Sequence, residues 1–235
     1  MRKTLLFIFL LTITVFDCFC QDNTPTKYLE LGVSANSYKG DIQPSYQSWN
    51  GGFNIGILFN KKKRLNGHLN IMIGSVTAQS PDFHYDNGST PSPTPNNFAN
   101  TSIFCFNYDL HINLYKKYNL VVYLYQGIGL FRFNPKDSDG NNLTDQLNTR
   151  ASNETYSNIS ICLPHGLGVM YTLKQGYGVG MQAGFINTFT DYLDNVSQWG
   201  NKSGNDNILS YKFTFYAPLS FKSKTPPAEQ KSNLQ

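Results

Sequence analysis

At 235 residues the chain fits one domain or two small ones, and its makeup excludes several classes of function. Charged residues are only 14% of the chain, against about 25% in a soluble domain, while aromatic residues also reach 14%. A formal net charge of +4 is too mild for a nucleic-acid-binding surface, so no nucleic acid is expected as a partner. Asn, Ser, Thr, Gln and Gly supply the polarity that charge does not, and much of the surface is expected to face something other than water.

The N-terminus reads as an export signal. Arg2 and Lys3 precede "TLLFIFLLTITVF", an apolar run too short for a spanning helix and suited to a secretory leader. Cys18 and Cys20 lack the small residues of a lipidation site before them, so 1–20 is expected to be a signal peptide cleaved after Cys20. Without Arg2, Lys3 and Asp17 the mature chain has 17 basic and 14 acidic residues, a formal +3. Cys105 and Cys162 are then the remaining cysteines, which is neither a disulfide framework nor a zinc or redox motif.

Downstream the dominant pattern is period-two alternation, the signature of strands. "YLELGVSANSY" sets Leu29, Leu31, Val33 and Ala35 against Glu30, Gly32, Ser34 and Asn36. "GFNIGILF" and "LNGHLNIMIG" continue it, the latter opposing Leu69, Ile71 and Ile73 to His68 and Asn70. "SIFCFNYDLHINL" opposes Phe104, Phe106, Tyr108, Leu110 and Ile112 to Cys105, Asn107, Asp109 and His111. "LVVYLYQGIGLFRF" is apolar on both faces, which leaves its register open. "SNISICLPHGLGVMY", "YGVGMQAGF" and "ILSYKFTFYAPLSF" bring the number of strands to eight.

Connections alternate between short Lys-bearing turns ("NKKKR", "YKKYN", "LKQG") and long loops rich in Pro, Gly, Asn and Asp. The expected fold is all-β: an eight-stranded antiparallel transmembrane β-barrel with short periplasmic turns and long extracellular loops. The barrel is placed at 28–221, after a periplasmic segment 21–27 and before a flexible periplasmic tail 222–235. Outer-membrane lipid is the expected surroundings of its apolar face. A soluble lipocalin-like carrier would invert the barrel and put charge on many outward strand positions, where this sequence has Asn, Ser and Gly.

Four stretches in order, "YLELGVSANSYKGDI", "YLYQGIGLFRFNP", "LPHGLGVMYTL" and "TFTDYLDNVS", are similar to a PorG-like family of outer-membrane β-barrels. The resemblance runs from Tyr28 to about Ser197. That family occurs in Gram-negative bacteria with the type IX secretion system, and its best-known member is associated with the machinery's periplasmic ring. The resemblance thus implies an outer-membrane location and periplasmic ring proteins as partners. It also implies Asp at 195, where this chain has Asn195.

Candidate sites are few. Asp191, Tyr192, Asp194 and Asn195 form a motif in the last long loop; with Ser197 they offer oxygens for calcium, but the spacing fits no calcium loop, and turn-capping is the expected role. Asp137–Asp145 resembles an EF-hand loop but has Gly140 in its fourth position and Asn148 in its twelfth. His68 and His111 are expected to face the lumen, with His165 at a bulge beside Pro164. With no nucleophile elbow and no His/Glu metal pair, no catalytic, cofactor-binding or metal residue is assigned. Lys61, Lys62, Lys63 and Arg64 form a basic turn that could dock an acidic periplasmic partner. The leading expectation is a non-enzymatic anchor or accessory component of type IX secretion; the alternatives are a barrel enzyme acting on lipid and a loop-mediated recognition or adhesion barrel.

Overall fold

Alternating sequences can bury one face only if the strands pair, and in hydrocarbon the ladder must close so that no edge is left unpaired. The computed structural model shows that closure. It describes residues 25–60, 64–85, 95–152, 154–200 and 204–221. The leader, the tail and the turn residues Lys61, Lys62 and Lys63 lie outside the described residues. Eight antiparallel strands, β1 (Pro25–Lys39), β2 (Trp49–Phe59), β3 (Leu65–Gln79), β4 (Phe98–Lys117), β5 (Leu120–Lys136), β6 (Ile159–Thr172), β7 (Gly178–Thr188) and β8 (Asn207–Phe221), follow each other around the wall. Pairing of β1 with β8 completes the barrel. β1 starts at Pro25, so the last three residues of the 21–27 segment belong to the wall.

A tilted strand needs about 9–11 residues to cross a membrane, and β4 and β5 have 20 and 17. The excess lies on the long-loop side, above the apolar belt. Outward positions carry that belt: Leu31, Phe53, Phe106, Leu110, Ile128, Leu167, Met181 and Phe213 are all exposed.

The open register of β5 is settled by what lies opposite. Tyr123, Phe131 and Phe133 point inward and are almost fully buried, while Leu124, Ile128 and Leu130 face out. Inward aromatics fit because neighbouring strands present glycines: a Cβ on Gly168 would lie 2.5 Å from Tyr123 Cζ, and one on Gly184 2.2 Å from Tyr125 Oη. Pro164 does not make a bulge. The ladder lapses between the Gln126↔His165 and Gly129↔Cys162 pairs, but both strands spend two residues there, because proline cannot donate to it. The bulge in this part of the wall is at Asn113/Tyr115 on β4.

The lumen is filled in three layers. Tyr28, Leu58, Tyr123, Met170 and Tyr216 close the short-turn end. A larger apolar cluster that includes Tyr38, Ile42, Met72, Phe131, Leu193 and Ile208 closes the long-loop end. Between them lie buried Asn54, Asn70, Asn107 and Gln182 and a set of ionisable side chains.

Candidate functional site

The ionisable set sits at mid-height. Glu30 (β1), His68 (β3), Asp109 and His111 (β4) and Lys212 (β8) are all at most 8% exposed. Cross-strand pairing of His68 with Asp109 places His68 Nδ1 3.1 Å from Asp109 Oδ2. Its Nε2 is 2.9 Å from Glu30 Oε2, an ion contact off the N–H direction rather than an aligned hydrogen bond. Lys212 Nζ donates to Glu30 Oε1 at 2.5 Å. Both ring nitrogens of His68 thus face carboxylates, which requires the doubly protonated ring. With Lys212 that state balances the charges of Glu30 and Asp109. His111 stacks on Tyr123 with ring centres 4.4 Å apart.

Donor atoms of His68, Asp109 and His111 come within 4.8 Å of one another, close enough to hold a metal ion. A cation would have to displace an ion network that is already neutral, so the geometry fits a charge-balanced plug better than a metal centre. No motif marks this group in the sequence. Pairing the inward residues of β3 and β4 as a hairpin would have found it, since that step alone sets His68 opposite Asp109.

Below the loops, Cys105 and Cys162 face each other with sulfurs 3.4 Å apart, both as thiols. They sit on β4 and β6, with β5 between them, so their backbones are about 9–10 Å apart at 4.7–4.9 Å per strand. A disulfide needs Cα atoms within about 7 Å. Intact mass under non-reducing conditions should show both thiols; a mass two hydrogens lower would mean that β4 and β6 move together.

The sequence motif in the last loop is not peripheral. Asp194 and Asn195 are fully buried at the centre of a cap made by all four long loops. Asp194 accepts from Tyr38 Oη at 2.5 Å, from the Ile42 amide at 2.9 Å and from the Val196 amide at 2.9 Å. Its backbone carbonyl accepts from Asn96 at 2.7 Å, and Thr101 donates to the carbonyl of Leu193. Asn195 has φ 70°, a left-handed conformation that Asn tolerates better than most residues. Its side-chain oxygen accepts from Arg150 at 2.9 Å and Tyr156 at 2.8 Å, and its amide donates to Asn96 and Thr149. Arg150 is buried on the carbonyls of Leu143, Thr144 and Glu154, with its guanidinium over the Tyr156 ring.

This arrangement disposes of calcium. The Asp194 oxygens are occupied by donors, and a guanidinium sits where Asn195 would meet a cation. Burial raises the pKa of Asp191, which is half-buried, and pushes that of Asp194 up to about 6. Tyr192 stacks on Tyr156 with ring centres 4.3 Å apart. In the basic turn only Arg64 is described, and it is exposed. The EF-hand-like stretch closes on itself instead, with Asp137 accepting from Asn141, Asp139 and Gln146.

His165 faces outward in the belt. Its Nδ1 is 3.4 Å from both the Asn187 amide and its own strand's Leu163 carbonyl. Neither partner is a nucleophile, which a hydrolase would need beside its histidine.

No protein-family model and no curated protein matches the chain. Among solved structures, it is similar to Neisserial surface protein A, at TM-score 0.52 and 9% identity over 84% of this chain and 99% of that one. It is also similar to Ail, the attachment invasion locus protein of Yersinia pestis, at 0.46 and 8% over 82% and 98%. A major outer membrane protein from Thermus thermophilus follows at 0.44 and 14% over 81% and 99%. The fold of this chain is therefore that of the eight-stranded outer-membrane β-barrels.

Proposed function

We propose that this chain is an integral outer-membrane protein, non-enzymatic, that serves the type IX secretion machinery as an anchor or accessory subunit. The observation that carries the first half is the filled lumen. Among the described residues, two apolar layers with an ionic layer between them fill the lumen, so whatever the protein does is done at its rims or on its outer wall rather than through its centre. The partners of His165, an amide and a carbonyl, include no nucleophile for hydrolysis of lipid on the outer wall. Assignment to type IX secretion rests on the order of the PorG-like motifs, and the periplasmic ring would then be met by the short turns. Cross-linking in native membranes should recover ring proteins. Reversing the charge of Lys61, Lys62, Lys63 and Arg64 should reduce secretion several-fold while the barrel stays at normal abundance in the membrane. Unchanged secretion with unchanged cross-links would exclude the docking role of that turn.

One observation favours recognition at the cell surface as a second reading. The long loops are tied into one cap by Asp194, Asn195 and Arg150, and a pre-organised surface binds a partner at lower entropic cost. Cross-links from the cap to secreted or host molecules, with none to periplasmic proteins, would select it.

A further inference from the structure

Outward side chains of β3 to β6 line up in rows, and the rows locate the outer edge of the lipid belt. Ile71, Phe106, Leu130 and Ile161 form a wholly apolar row. One row closer to the loops, register aligns Ile73, Phe104, Arg132 and Ile159. The next has Ser75, Ser102 and Asn134. Arg132 lies between inward Phe131 and Phe133, so it must point outward, and it is exposed. A cation therefore stands on the last apolar row, where hydrocarbon gives way to headgroups. Its cost there is small compared with that at the membrane centre.

The same place is a groove of about 990 Å3. Its wall is Ile73, Phe104, Leu130 and Ile159, and its upper part carries Asn134 and Asn158. The loop after β5 overhangs it with Asn142, Thr144 and Asp145, where a 3-10 turn spans Leu143–Asp145. Among the described residues Arg132 is in no ion pair, although Asp145 shares the groove. An unpaired guanidinium above an apolar wall selects a phosphate attached to acyl chains. Three amides (Asn134, Asn142 and Asn158), two hydroxyls (Ser102 and Thr144) and one carboxylate around the remaining space select a partner rich in hydroxyl groups.

We propose that this groove binds a phosphorylated glycolipid of the outer leaflet. Its phosphate rests on Arg132, its sugar lies beneath the overhanging loop, and its acyl chains run down Phe104 and Leu130. Asp145 accepts from sugar hydroxyls and keeps a second phosphate away from the roof. This goes beyond the secretion reading and does not depend on it.

The test uses the purified full-length barrel in detergent, titrated with diphosphoryl hexa-acyl lipid A and followed by native mass spectrometry. One lipid A per barrel is expected, with Arg132→Gln weakening it about tenfold or more, the effect of losing a charged hydrogen bond. Arg132→Lys should keep most of the binding, and dephosphorylated lipid A should bind wild type as weakly as lipid A binds Arg132→Gln. A heat-modifiable gel shift verifies that each variant is folded. Equal binding by wild type and Arg132→Gln would overturn the site. Phosphatidylethanolamine binding as tightly as lipid A, with the same loss in Arg132→Gln, would overturn the glycolipid assignment in favour of a phospholipid.

Discussion

Lys212→Met is expected to destabilise the barrel by about 3–5 kcal/mol, the cost of breaking a buried ion pair by removing one partner. The reason is the position of Glu30, which is fully buried and has only Lys212 and His68 to compensate it. Without the ammonium, one imidazolium must neutralise both Glu30 and Asp109. The layer is then left with an excess negative charge inside the barrel. The cavity beside it, about 40 Å3 and bordered by Asp109 and Lys212, has room for only a few waters. Glu30→Gln alone should cost a similar amount, because it leaves the ammonium unpaired. The double variant should recover most of the loss, since it removes both charges together. The measurement is urea unfolding in lipid vesicles, with the folded fraction read from gel mobility and the coupling from the double-mutant cycle. A Lys212→Met cost below about 1 kcal/mol would mean that water, rather than protein, solvates Glu30.

Much of the wall was legible in the sequence because alternation is a local property. Strand number, the outward belt and the lumen-facing His68, His111 and Asp109 all follow from period two. Register on β5 did not, because it is decided by Gly168 and Gly184 on other strands, which make room for Tyr123 and Tyr125. The ionic layer was visible as separate inward residues but not as a group. Lys212 comes 182 positions after Glu30, and only closure of the barrel makes the two neighbours. The loop motif at Asp191, Tyr192, Asp194 and Asn195 could be read as structural from its spacing. Its partners Tyr38, Asn96 and Arg150 could not be named, since each comes from a different part of the chain.

Asp194→Asn should weaken the cap by about 1–3 kcal/mol, whereas Asp206→Asn should be nearly silent at pH 7, although the two carboxylates bind the same tyrosine. Tyr38 Oη is 2.5 Å from Asp194 Oδ2 and 2.9 Å from Asp206 Oδ1, but it has one proton to give. One carboxyl must therefore be protonated. Both Asp194 oxygens already accept backbone amides, from Ile42 and Val196, so a proton on Asp194 would weaken one of those bonds and is taken up second. Asp206 accepts Leu193 N–H on Oδ2 and keeps Oδ1 for Tyr38, so Asp206 donates to Tyr38 and Tyr38 to Asp194. Asparagine reproduces that pattern at 206, amide toward Tyr38 and oxygen toward Leu193; at 194 it must turn an amide against a backbone N–H. Burial raises both pKa values, that of Asp206 further, with the charge of Asp194 as its second cause. The proton sits on Asp206, whose folded pKa is raised well above the ordinary value, so the stability it adds is complete below the unfolded value, near 4, and is lost as pH rises toward and through the folded one. The cap should accordingly resist urea better at pH 5 than at pH 8, as followed by the fluorescence of Trp199, which stacks on Tyr85. Asp206→Asn should flatten that dependence and be the more stable protein at pH 8. If Asp206→Asn instead proves as damaging as Asp194→Asn at pH 7, the proton lies on the other carboxyl, and the cap is held by an ionised Asp206.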